Sequence, residues 1–68
     1  MRVRLNGEET QLSEGLTVQG LVERMGIAPS QVGVAVAVNR RVIPRAEWAQ
    51  TPIKEGDQIE LVYARQGG

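Results

Sequence analysis

Sixty-eight residues allow one small domain, of a size that buries only about 60% of its unfolded surface, and eight basic against eight acidic residues leave no net charge with which to hold a nucleic-acid backbone. The chain has no cysteine and no histidine, which removes disulfides, the usual metal ligands and the commonest general base. The remaining titratable side chains form no obvious catalytic group, no apolar run is long enough to span a bilayer, and Met1-Arg2-Val3-Arg4 lacks the apolar core of a secretory signal. Composition therefore argues against an enzyme, a metal site, a nucleic-acid binder and a membrane protein, and for a soluble cytoplasmic chain.

Residues 2–5 alternate charged and apolar, so a half-buried strand is predicted with Val3 and Leu5 inward. Asn6-Gly7 supplies the two positive-φ residues of a type I′ turn, the strongest short hairpin signal. A polar second strand at 8–12 follows, with Glu8 and Glu9 marking it as an edge. From Thr17 the period changes: Val18, Leu21, Val22 and Met25 fall on one helical stripe, with Thr17 as N-cap and Gly26 as the left-handed residue that ends the helix. The helix is expected to run about nine residues, and Gly20 within it to mark close packing against the sheet in preference to a merely weak helix.

Val34-Ala35-Val36-Ala37-Val38 is apolar on both faces, which marks a central strand or one covered by a partner. Asn39-Arg40-Arg41 turns the chain into a short strand at Val42-Ile43, which Pro44 stops because it cannot donate to a ladder. Residues 45–53 read as irregular, with one helical turn at 46–49 and Trp48 as the lid of the core. After a turn at Glu55-Gly56-Asp57, residues 58–63 resume the alternation, with Ile59, Leu61 and Tyr63 inward. The order β-β-α-β-β-β is that of the β-grasp (ubiquitin-like) arrangement in the α+β class. It predicts a mixed five-stranded sheet with one helix across one face and the last strand central, parallel to the first.

The expected organisation is a β-grasp domain at 1–63 and a flexible tail at 64–68. Gly67-Gly68 is the thinnest end a chain can present, and five residues beyond Tyr63 extend roughly 17 Å, enough to enter a partner's active site.

Leu5-Asn6-Gly7-Glu8, Val36-Ala37-Val38-Asn39, Val42-Ile43-Pro44-Arg45, the run from Gly56 to Val62 and the terminal Gly67-Gly68 together resemble the sulfur carrier family of thiamine biosynthesis, across nearly the whole chain. The resemblance implies that the Gly68 carboxylate is the working group. It would be adenylated by a separate E1-like adenylating enzyme using ATP, then converted to a thiocarboxylate by a persulfide sulfur donor (a cysteine desulfurase or rhodanese-like protein), and the sulfur would pass to thiazole synthase. The residues agree, because the chain carries neither a phosphate-binding glycine loop nor a cysteine with which to do this itself. Arg65, Gln66 and Gly67 would thread the partner's active site. Arg65-Gln66 depart from the small apolar residues typical of the family at these positions, which leaves the acceptor open. A related carrier for molybdopterin or transfer-RNA thiolation, or a ubiquitin-like protein modifier, would end the same way. The chain is expected to bind no cofactor and to be a monomer when free.

Parity places Arg4, Glu60 and Val62 on the face turned away from the helix, beside Ala35 and Ala37, as a docking surface with an Arg4–Glu60 cross-strand pair. Arg40, Arg41 and Arg45 read first as solvated loop charges and second as contacts to an acidic partner.

Overall fold

A computed structural model describes residues 1–28 and 30–64. Among the described residues the alternating stretches form β1 (Arg2–Leu5), β2 (Glu8–Gln11), β3 (Val34–Val38), β4 (Arg41–Val42) and β5 (Gln58–Tyr63), with α1 at Val18–Arg24 and a 3-10 helix at Arg45–Gln50. Both hairpins turn as expected, on Asn6 and Gly7 (φ 51° and 83°) and on Asn39 and Arg40 (φ 52° and 70°). The sheet order is β2-β1-β5-β3-β4, with β1 and β5 parallel and the other pairs antiparallel. The expected mixed five-stranded sheet is thus present, with β5 at its centre.

Thr17 begins the helix in extended conformation, its hydroxyl accepting from the Gly20 amide at 3.2 Å. Gly26, at φ 82°, ends it: its amide donates to Glu23 O at 3.0 Å and that of Ile27 to Val22 O at 3.2 Å, the paired bonds of a Schellman motif. The helix has seven residues rather than about nine. Met25, expected on the buried stripe, lies past the last helical residue as the C-cap and is exposed. At Gly20 the close approach is to Leu16 and not to the sheet, since a Cβ would stand 2.8 Å from Leu16 Cδ1.

Val18, Leu21 and Val22 pack on Val3, Val36, Ile59 and Leu61 of the sheet, and Trp48, Ile43 and Ile53 close the core. Burial of these side chains is the main stabilising term in a chain without covalent staples. The Trp48 indole is 2% exposed and donates to Ile43 O at 2.9 Å, which satisfies its one polar atom in the interior. Tyr63, expected inward, is 41% exposed: it shares a face with Ile59 and Leu61 but stands at the last position of β5, at the margin of the core.

Candidate functional site: the central strand and the open face

The segment that leads to Gly67-Gly68 is the most heavily bonded strand of the sheet. On one side β5 pairs with β3 from Val38↔Ile59 to Val34↔Tyr63, and the Ala64 amide adds a bond to Gly33 O at 3.0 Å. On the other side Arg4 donates to Asp57 O and Asn6 to Ile59 O, at 2.9 and 2.8 Å. The backbone of β1 turns away at that point, and the Asn6 side chain takes over its role. Asn6 Oδ1 accepts from the Leu61 amide at 2.9 Å and Nδ2 donates to Leu61 O at 3.2 Å, so a carboxamide stands in for the next peptide unit. Asn39 does the same at the start of the strand. Its Oδ1 accepts from the Gln58 amide at 3.0 Å, its Nδ2 donates to Asp57 Oδ1 at 3.0 Å, and Asp57 Oδ2 accepts from the Lys54 amide at 2.8 Å. Both hairpin turns therefore grip β5, and the chain leaves toward its C-terminus from a clamped strand.

Gly68, Gly67, Gln66 and Arg65 lie outside the described residues. Arg4, Glu60 and Val62 are exposed on the face of the sheet that α1 leaves open, as parity predicts, and Val62 is 63% exposed. Ala35 is the register partner of Val62, and Ala37 partners both Glu60 and Val42, so two valines flank two alanines on this face. Val42, 68% exposed, is a residue that sequence reasoning missed. Only the Ala37↔Val42 register places it there.

The Arg4–Glu60 pair is not formed. Parallel register sets Arg4 against Gln58, and its Nη1 donates to Gly7 O at 3.3 Å, while the ion pairs among the described residues are the Met1 amine with Glu14 and Arg2 with Glu9. Arg45 is engaged within the fold rather than free: it stacks over Trp48 with its guanidinium carbon 4.6 Å from the ring centroid and donates to Gln31 O at 2.5 Å. Among the described residues no cluster of three or more His, Cys, Asp or Glu is disposed to hold a metal, and no helix is long and apolar enough to cross a membrane.

Comparison with known proteins gives this geometry its context. The profile described as the ThiS family matches residues 3–68, and so runs through the terminal glycines. The chain belongs to the ThiS family. It is 37% identical to the sulfur carrier protein ThiS of Escherichia coli (strain K12) over 68 residues, which cover all of both chains. With the sulfur carrier protein ThiS of Thermus thermophilus it shares 39% identity over 66 residues, 97% of this chain and 98% of that one. It also aligns along its whole length, at 38% identity, with 20% of the thiazole synthase of Magnetococcus marinus. The crystal structure of the thiamine biosynthesis protein ThiS from Geobacter metallireducens superposes with a TM-score of 0.81 at 30% identity, covering both chains completely. Membership of this family establishes the ubiquitin-like β-grasp fold expected from the element order.

Proposed function

We propose that this chain is a sulfur carrier of thiamine biosynthesis that holds sulfur as a thiocarboxylate on Gly68 and delivers it to thiazole synthase. The observation that carries this reading is the end-to-end match to sulfur carrier proteins, which includes Gly67-Gly68. A carboxylate is a poor electrophile. A separate E1-like enzyme joins it to AMP from ATP with release of pyrophosphate, and the outer sulfur of a persulfide displaces the AMP to give an acyl disulfide; a thiol then attacks the donor's sulfur, forming a disulfide with it and releasing the thiocarboxylate. The carrier itself supplies no catalytic group and binds no cofactor. Its fold contributes a fixed point of departure for the tail, through the bonds of β5 to Asn6, Asn39 and β3. The tail is 64–68 and the domain 1–63, with Arg65, Gln66 and Gly67 threading the partner's active site. Arg4, Glu60 and Val62 belong to the docking surface. Two thiazole synthases that each include a segment alignable with this whole chain support the synthase as the sulfur acceptor, because there the two functions share one polypeptide. The site of action is the cytoplasm.

The test is intact mass of the protein after incubation with its adenylating enzyme, ATP and a persulfide source, with the change localised by fragmentation. Replacement of one oxygen by sulfur at Gly68, followed by its loss when thiazole synthase and its substrates are added, is the expected result. Deleting Gly68 abolishes both steps and leaves the fold intact. Sulfur loading without transfer to the synthase would redirect the chain to molybdopterin or transfer-RNA thiolation, and isopeptide adducts in place of sulfur would make it a modifier.

A further inference from the structure

The two hairpin turns share a backbone shape and differ in chemical fate. Asn6 and Asn39, the only asparagines of the chain, stand at φ 51° and 52° and both reach β5 through their carboxamides, but Asn6 is followed by Gly7 and Asn39 by Arg40. An asparagine carboxamide is open to attack by the peptide nitrogen of the next residue. The pair is most reactive when that residue is glycine, because no Cβ shields the nitrogen or restrains the backbone. Asn6 is exposed, so water and base reach it, and the Gly7 amide donates to no group among the described residues. What opposes the reaction is the grip on β5. Attack on Cγ must come from above the carboxamide plane, and Asn6 Oδ1 and Nδ2 hold that plane against Leu61 at 2.9 and 3.2 Å.

We propose that Asn6 is a site of spontaneous deamidation held closed by its two bonds to Leu61. The reaction runs only from molecules in which Asn6 has released β5, and its product makes the release permanent. In the open state the Gly7 nitrogen gives its proton to hydroxide and bonds to Asn6 Cγ while the Cγ–Nδ2 bond breaks, leaving a five-membered succinimide and ammonia. One water then opens the ring, at Cγ to give aspartate or at the backbone carbonyl to give isoaspartate. Asparagine and water have become a carboxylic acid and ammonia, with no oxidant or reductant. Neither product restores the grip. With aspartate an oxygen replaces the Nδ2 donor and faces Leu61 O, acceptor against acceptor. With isoaspartate the main chain runs through Cβ and Cγ, which lengthens the turn and withdraws the side group from Leu61. Of the two turns that hold β5, the deamidated chain keeps only the one at Asn39, where the Arg40 side chain crowds the nitrogen that would attack.

The test incubates the full chain in warm, mildly alkaline buffer, folded and in guanidinium chloride above its unfolding transition. Peptide mapping quantifies aspartate and isoaspartate at positions 6 and 39, and hydrogen exchange follows the Leu61 amide. In the unfolded chain Asn6 converts many times faster than Asn39. Folding slows Asn6 at least about tenfold, and the factor agrees within about threefold with the open fraction that exchange at Leu61 reports. Val3→Ala, which loosens β1 from a position 2% exposed without touching the pair, raises both rates together. In the purified isoaspartate form, exchange at Leu61 is at least about tenfold faster than in the unmodified chain. Folded protein that deamidates at Asn6 as fast as the unfolded chain, or faster than Leu61 opens, overturns the proposal. So does an isoaspartate form in which Leu61 is as protected as before.

Discussion

Asn6 does two jobs. As the first residue of the Asn-Gly turn it adopts φ 51°, and its side chain closes two bonds on Leu61, 55 positions away in sequence. The two contributions can be separated by substitution. Asn6→Gly keeps the turn and removes the bonds, leaving the Leu61 amide unpaired in the sheet, for an expected loss of about 1–2 kcal/mol. Asn6→Ala removes the bonds and adds strain at positive φ, for about 1–2 kcal/mol more. Urea unfolding midpoints of the two variants measure this directly, and a midpoint for Asn6→Gly equal to that of wild type would show that the carboxamide contributes nothing. Trp48→Phe leaves Ile43 O without its buried donor and is expected to cost about 1–3 kcal/mol by the same measurement. The turn at Asn6-Gly7 was legible from two letters. The grip on Leu61 was not, because it exists only once β1 and β5 lie side by side.

At the scale of elements, α1 has seven residues, fewer than an isolated helix needs to persist in water. Its caps and its buried face hold it. The cap at Gly26 is the most exposed of these supports to mutation: Gly26→Ala keeps the polarity of the site and forces a Cβ into the left-handed region, for an expected loss of about 1–2 kcal/mol, with Asn tolerated better than Ala. Thermal melts of the three proteins give the ordering Gly above Asn above Ala, and an unchanged Ala variant would mean that the left-handed conformation at position 26 carries no cost for a side chain. The helix period at Val18, Leu21 and Val22 predicted the buried face correctly, and failed at Met25 because periodicity does not say where an element ends. Tyr63 failed for the same reason at the end of β5.

For the whole molecule, the open face separates folding from docking. Val62 is exposed beside Ala35, so Val62→Glu changes stability by less than about 1 kcal/mol. The same change puts an unpaired charge into the centre of the proposed interface and is expected to weaken binding to the adenylating enzyme more than tenfold. Titration calorimetry set against a denaturation curve decides between the two, and equal losses in both would remove Val62 from the interface. Val42 offers a second probe on the same face: being on an edge strand and 68% exposed, Val42→Glu tests how far the footprint reaches from β5.

Local chemistry decides local structure, and so period, caps and turn residues were enough to find five strands, the helix, both hairpins and, through element order, the β-grasp sheet with its last strand at the centre; the short fourth strand lies one residue earlier than expected, at Arg41–Val42 instead of Val42-Ile43. The carrier function did not come by that route: it was implied by the resemblance of the motif series ending in Gly67-Gly68 to a known family, with which the missing nucleophiles agree. Facing positions on neighbouring strands were beyond the reach of local pattern, because register is set by pairing between strands and not by the pattern within any one of them. Tertiary structure alone decided that Arg4 faces Gln58 and not Glu60, that Val42 joins the open face through Ala37, and that Arg45 is held by Trp48 while Arg40 is left free among the described residues to share a cleft with Arg4. A side chain's parity is written in its own strand, but its neighbour is set by how far one strand slides along the next.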